Sequence, residues 1–202
     1  MPRVIGLTGG IGAGKSEALA AFARRGAAVL SSDEVVHRIY RRPDVVSAIS
    51  ERFGRSVLSG DGSVDRARLA GVAYAKDDGV AFLERTVHPL VGAARKEWVD
   101  GQRFSDPPPV LLVCEVPLLF EVGLEDHFDA VLVVTASDEV RRSRVEARGQ
   151  DFDELARRQL PESKKVARAD RYFVNDGDRA SLERWVEERY REYRATAPRR
   201  AD

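Results

Sequence analysis

The sequence predicts an α/β fold built on an open parallel sheet of about five strands with flanking helices. Three observations carry that reading. Five short apolar runs, Val4–Leu7, Ala27–Leu30, Val110–Cys114, Ala130–Val134 and Tyr172–Val174, have the unbroken apolarity of strands buried on both faces. Helical patterns lie between most of them, as parallel strands joined by right-handed crossovers require. A glycine-rich loop follows the first run and opens directly into a helical stretch.

The first run leads into "GLTGGIGAGKS", residues 6–16. Gly9, Gly14, Lys15 and Ser16 fit the spacing G-x-x-x-x-G-K-[ST], the phosphate cradle of the P-loop proteins. Glycines let successive N–H groups converge on phosphate oxygens, and the next helix offers its positive end. Lys15 would reach the outer phosphates and the Ser16 hydroxyl would ligate Mg²⁺. The helix over Ser16–Arg25 is closed by Gly26.

The second run ends in "AAVLSS" and is followed by Asp33. A carboxylate past a strand end in this architecture faces the ligand crevice, where it can take a hydroxyl proton or help hold Mg²⁺. It can equally cap the helix over Glu34–Tyr40; spacing alone does not choose.

Residues 33–109 are far longer than a crossover needs. Helical patterns cover Asp33–Tyr40, Asp44–Phe53, Asp65–Tyr74, Asp77–Val87 and Pro89–Asp100, with a turn at "SGDGS" and a return loop at "SDPPP". Residues 33–100 are therefore expected to be a helical insertion over the C-terminal strand ends, on the acceptor side. Residues 1–32 and 101–202 then form the nucleotide-binding core. Extra helices with only a packing role are the plainer alternative.

The third run, within "VLLVCEVPLLFE", puts Glu115 at a strand end and Glu121 just beyond Pro117. Either carboxylate could hold a metal-bound water or position the acceptor; either could simply pair with an arginine. After the fourth run, "RRSRVEARGQDFDELARRQ" carries Arg141, Arg144 and Arg148 at i, i+3 and i+7, one face of a helix over Asp138–Arg148 closed by Gly149. One or two of these arginines would contact phosphate from a lid over about 138–160 that also excludes water; most would be solvated.

Composition narrows the class. The chain has 202 residues, 43% hydrophobic and 33% charged, with 33 basic and 33 acidic side chains. Balanced charge argues against a duplex nucleic-acid binder, and no run approaches a membrane span. Cys114 is the single cysteine, read as a small buried hydrophobe in a reducing cytoplasm. No Asn-Lys-x-Asp element reads guanine, which disfavours a GTPase switch and leaves a small kinase.

The chain resembles the dephospho-CoA kinases over nearly its whole length. The resemblance rests on "GLTGGIGAGKS", the Asp33 segment, "VHPLV", "VPLLFE", the arginine helix leading to Gln159, and "KKVARADRYFVNDG", in that order. It implies a P-loop kinase that moves the γ-phosphate of ATP to the ribose 3′-hydroxyl of dephospho-CoA. The products are CoA and ADP, in the last step of coenzyme A biosynthesis. By the same resemblance Asp33, Lys15 and Arg148 are catalytic and Ser16 holds the metal. ATP is met by Gly9, Gly10, Ile11, Gly12, Ala13, Gly14, Lys15, Ser16, Glu17, Arg144, Asn175 and Gly177. Dephospho-CoA is met by Asp33, His88, Pro117, Leu118 and Glu121.

The family often shows Asp-x-Asp after the second strand; here Ser31-Ser32-Asp33 keeps only the second acid. Ala13 and Glu17 stand where serine and threonine are frequent, without loss of a phosphate or metal ligand. The expected partner is a small molecule, with the chain a cytoplasmic monomer or weak homo-oligomer. Another P-loop nucleoside-monophosphate or small-molecule kinase, and a non-catalytic nucleotide-binding regulatory module, are the alternatives. The final "TAPRRAD" is expected to fray.

Overall fold

In the computed structural model, described here for residues 1–195, the five apolar runs form one sheet of five parallel strands in the order β2-β3-β1-β4-β5. The strands are β1 (Arg3–Thr8), β2 (Ala28–Ser31), β3 (Leu111–Glu115), β4 (Ala130–Thr135) and β5 (Arg171–Val174). Each lies within a residue of the expected run. The tail "TAPRRAD", expected to fray, lies outside the described residues.

The central strands β1, β3 and β4 are buried along their whole length, as their apolarity requires. Ile5, Leu7, Leu111, Val113, Leu132 and Val134 alternate onto one core, which they share with Phe22 of α1 (Lys15–Arg24) and Leu182, Trp185 and Val186 of α9 (Arg179–Ala195). β5 departs from the expected two-sided burial. It is an edge strand with one neighbour, so Tyr172 and Val174 stay 53% and 50% exposed, while Phe173 packs against Trp185 at 5.4 Å.

The chain divides into two compact units, Met1–Ser31 with the chain from Val99 on, and Ser32–Trp98. The second is mainly helical, with α2 (Ser32–Ile39), α3 (Pro43–Phe53), α4 (Arg66–Tyr74) and most of α5 (Gly79–Arg103), and an isolated antiparallel bridge between Leu58 and Val64. On α3, Val45, Ile49 and Phe53 recur every four residues and are all buried. Phe53 meets Phe82 edge to face at 5.7 Å. Asp65 caps α4 by accepting the N–H groups of Ala67 and Arg68, each at 3.0 Å, which stabilises the helix by about 1 kcal/mol.

Two expectations are corrected here. The helices over Asp77–Val87 and Pro89–Asp100 are one helix, α5, with Pro89 inside it. Pro89 is exposed, so the carbonyl its ring leaves unbonded, that of Arg85, can turn to water. Asp33 is not the residue before its helix: α2 begins at Ser32 and Asp33 lies in its first turn.

The remaining helices are α6 (Asp138–Glu146), α7 (Phe152–Ala156) and α8 (Glu162–Arg168). α6 stops at Glu146, so Arg141 and Arg144 lie on it but Arg148 sits in the turn before Gly149, which has φ 71°. The three arginines do not share one helical face.

Candidate active site

The glycine loop follows β1 and ends at Gly14, the residue before α1, in the left-handed conformation at φ 101°. Two positions need glycine for reasons the fold makes explicit. A Cβ on Gly9 would lie 1.9 Å from the Val134 carbonyl oxygen, and one on Gly14 would lie 2.3 Å from the Asn175 amide nitrogen. The loop is therefore pressed against the end of β4 and the segment after β5. Lys15 is buried, 8% exposed, and donates from Nζ to the Gly10 carbonyl at 3.0 Å. Ser16 is exposed on the first turn of α1.

Four side chains hold the loop from outside. Asn175 donates from Nδ2 to the Ala13 carbonyl at 2.8 Å. Arg144 donates to the Gly12 and Ala13 carbonyls at 3.3 and 3.5 Å, and to the Asn175 carbonyl at 3.0 Å. Gln159 accepts the Ile11 N–H at 2.8 Å. Arg141 is buried beside Gly10, pairs with Asp138 at 2.6 Å and lies over the Phe152 ring at 5.1 Å. The donors from Asn175 and Arg144 take up the Gly12 and Ala13 carbonyls, and Arg144 and Arg141 put positive charge beside the loop, as an anion cradle requires.

Glu115 ends β3, 4% exposed, with the Ser31 hydroxyl 3.5 Å from its Oε2. Ser31, which stands where the family's first acid is frequent, thus meets the strand-end carboxylate from β2. Glu121 is not open to a ligand. Its side chain is 13% exposed, paired with Lys165 at 3.0 Å, and it accepts the Leu160 N–H at 2.8 Å. Glu17 is similarly engaged, with Arg24 at 3.0 Å and Arg179 at 2.9 Å. Pro117 and Leu118 are half-buried after β3, where the Thr8 hydroxyl donates to the Pro117 carbonyl at 3.4 Å. Arg148 and Gly177 are exposed, and a Cβ at Gly177 would meet open space. Cys114 is buried, as expected of a core thiol.

In the helical unit, Asp33 and His88 are exposed. Arg66, at the start of α4, donates to Asp33 Oδ1 at 3.4 Å. The same guanidinium acts on Tyr40, whose phenol burial pushes up and Arg66 pulls back.

Sequence reasoning missed Gln159 and Arg141 as parts of the loop's support, and the pairing of Glu121 with Lys165. Their partners, Ile11, Glu121 and the Gly10 flank, are distant in sequence, so no local pattern marks them.

A family model described as dephospho-CoA kinase matches residues 3–181. The chain belongs to the dephospho-CoA kinase family. A curated dephospho-CoA kinase of Rhizobium meliloti is 41% identical over 179 residues, covering 87% of this chain and 89% of the relative. One from Methylococcus capsulatus is 37% identical over 195 residues, covering 94% and 96%. A Thermus thermophilus crystal structure superposes with a TM-score of 0.77 at 32% identity, over 97% of this chain and 99% of that one. The expected fold class, a P-loop kinase-type α/β sheet, is the family's own. Among the described residues no helix is long and apolar enough to cross a membrane.

Proposed function

We propose that this chain transfers the γ-phosphate of ATP to the ribose 3′-hydroxyl of dephospho-CoA, giving CoA and ADP, with the residues of the glycine loop as the donor site and Asp33 as the acceptor's base. Family membership carries ATP-dependent phosphorylation of dephospho-CoA in coenzyme A biosynthesis. The observation that supports the donor half is the loop itself. Its glycine backbone, buried Lys15 and flanking Arg144 gather positive charge and N–H groups at the end of β1. Lys15 would leave the Gly10 carbonyl for the outer phosphates, and Arg148 would neutralise charge on the transferring group from the lid over 138–160. Asn175 and Gly177 would border the adenine.

The donor set fits Mg²⁺ rather than a protein-caged metal. Ser16 offers one exposed hydroxyl, and among the described residues no group of three or more His, Cys, Asp or Glu could hold an ion. Such a site suits a cation that keeps its waters and shares phosphate oxygens. When bound, Mg²⁺ would neutralise phosphate charge and fix the outer phosphates.

On the acceptor side, the helical insertion with His88, and the Pro117-Leu118 segment, would hold dephospho-CoA. Asp33 would orient the 3′-hydroxyl and take its proton late, because phosphoryl transfer is loose and depends on positioning and charge. Arg66 beside Asp33 would keep the carboxylate oriented between turnovers. We place the reaction in the cytoplasm, in a monomer or weak homo-oligomer.

The test is acceptor-stimulated ADP release across dephospho-CoA, nucleosides, nucleoside monophosphates and small alcohols. Dephospho-CoA alone should stimulate it. Well-folded protein that binds ATP and ignores dephospho-CoA would be a nucleotide-binding module, not this kinase.

A further inference from the structure

One buried charge has no part in the chemistry above. Lys165, on α8, has no exposed surface. Its Nζ lies 3.0 Å from Glu121 Oε1, yet among the described residues it makes no aligned hydrogen bond, and Glu121 Oε2 is buried with no hydrogen-bond partner there. A half-satisfied buried ion pair is a poor source of stability: desolvating both charges cancels most of their attraction, and an apolar pair of the same volume would serve the fold as well. What such a pair supplies is a fixed position.

The position it fixes leads to the phosphate loop. Glu121 Oε1 also accepts the Leu160 N–H at 2.8 Å. The preceding residue, Gln159, accepts the Ile11 N–H at 2.8 Å. The far end of α8 is tied to the same segment as Glu121. Arg168 pairs with Glu125, donates to the Phe120 carbonyl at 3.4 Å and lies over the Phe120 ring at 4.6 Å. The stretch 159–168 therefore bridges the turn after β3 and the middle of the glycine loop.

We propose that Lys165 and Glu121 form a buried brace that positions Gln159, and that Gln159 holds the Ile11 peptide so that the loop is set for ATP before ATP arrives. All three are positioning residues; none touches a reacting atom. A loop whose N–H groups already converge loses less freedom on binding, so the brace acts on ATP affinity. The inference rests on the reading that this loop holds ATP.

Calorimetric titration of ATP into the full chain, with KM for both substrates, tests it. Gln159→Leu should weaken ATP binding about tenfold while KM for dephospho-CoA moves less than about twofold. Gln159→Asn, which keeps a neutral acceptor oxygen on a side chain one methylene shorter, should lose less ATP affinity than Gln159→Leu. Lys165→Met alone strands a buried carboxylate, so the brace is removed as the neutral pair Lys165→Met/Glu121→Leu. Once its melting curve shows it folded, that pair should lose ATP affinity as Gln159→Leu does. Combining the two changes should cost no more than about threefold beyond either, since both break one path. Unchanged ATP affinity in the folded neutral pair, tighter binding in Gln159→Leu, or losses that multiply would each overturn the brace while leaving the kinase reading intact. A wild-type chain that binds no ATP would overturn both.

Discussion

Lys15 is folded back into its own loop, its ammonium 3.0 Å from the carbonyl oxygen of Gly10 and 8% exposed. A buried ammonium needs an acceptor, and a neutral carbonyl is a weaker one than a phosphate oxygen. The contact with Gly10 keeps the lysine's ammonium beside the loop. Lys15→Met should lower kcat/KM by about 10²–10³ through lost charge stabilisation. The melting temperature should stay within a few degrees of wild type. Steady-state ADP release and a thermal melt on one preparation measure both.

Asp33 lies in the first turn of α2 and accepts from Arg66 at 3.4 Å. Asp33→Asn keeps the side chain's size and its acceptor for Arg66 but removes the base. Its kcat should fall by about 10²–10⁴, with the ATP dissociation constant within about twofold. Near-normal kcat would reduce Asp33 to a local partner of Arg66.

Gly9 tests the loop's packing rather than its chemistry. With φ at 147° and a hypothetical Cβ 1.9 Å from the Val134 carbonyl, Gly9→Ala must displace either the loop or β4. A loss of about 2–4 kcal/mol is expected. In a chain of this size that lowers the melting temperature by about 5 °C or more. An unchanged melt would mean that the loop does not seat on β4.

Stability should be flat near neutrality and fall at both ends of the pH scale. Hydrogen bonds from Arg42, Arg85 and Arg142 hold Asp44, Asp78 and Asp153 below the ordinary 3.8. Their folded forms release protons more readily, so their stabilisation is present above that value and lost as pH falls through the lower, folded one. Burial raises the phenols of Tyr40 and Tyr193 above 10.0. That contribution is complete below pH 10.0 and disappears as pH rises through the folded values. The acid limb, built on exposed pairs, should shrink in high salt, and the alkaline limb should not. Melting temperatures from pH 3 to 11 at two salt concentrations, about 0.1 and 1 M, check this.

The sheet, the glycine loop and α1 were legible in the sequence because unbroken apolar runs and a fixed glycine spacing are local signals. The fused helix α5 was not, because Pro89 is a breaker only where its lost hydrogen bond has no water to replace it. The exposure of Tyr172 and Val174 was hidden for another reason: an apolar run does not say whether it sits at an edge. Within the site, spacing left Asp33 open between a base and a helix cap until the family resemblance assigned it, whereas Lys15 and Ser16 could be named from the loop's spacing. The work done by Arg144 and Asn175 on the Gly12 and Ala13 carbonyls, and by Glu121 on Lys165, could not. Those contacts join elements far apart in sequence, and neighbouring residues such as Lys164 and Lys165 look alike until the fold buries one of them.

In the proposed reaction the phosphate held by the glycine loop passes to the ribose 3′-hydroxyl of dephospho-CoA. Phosphorus NMR of the product formed from ATP and dephospho-CoA tests it most directly. One new phosphomonoester on the 3′ carbon is expected, formed one for one with ADP, and formed about 10²–10⁴ times more slowly with Asp33→Asn. Folded, ATP-binding protein that releases ADP without forming that ester, or that phosphorylates a different hydroxyl, would contradict it.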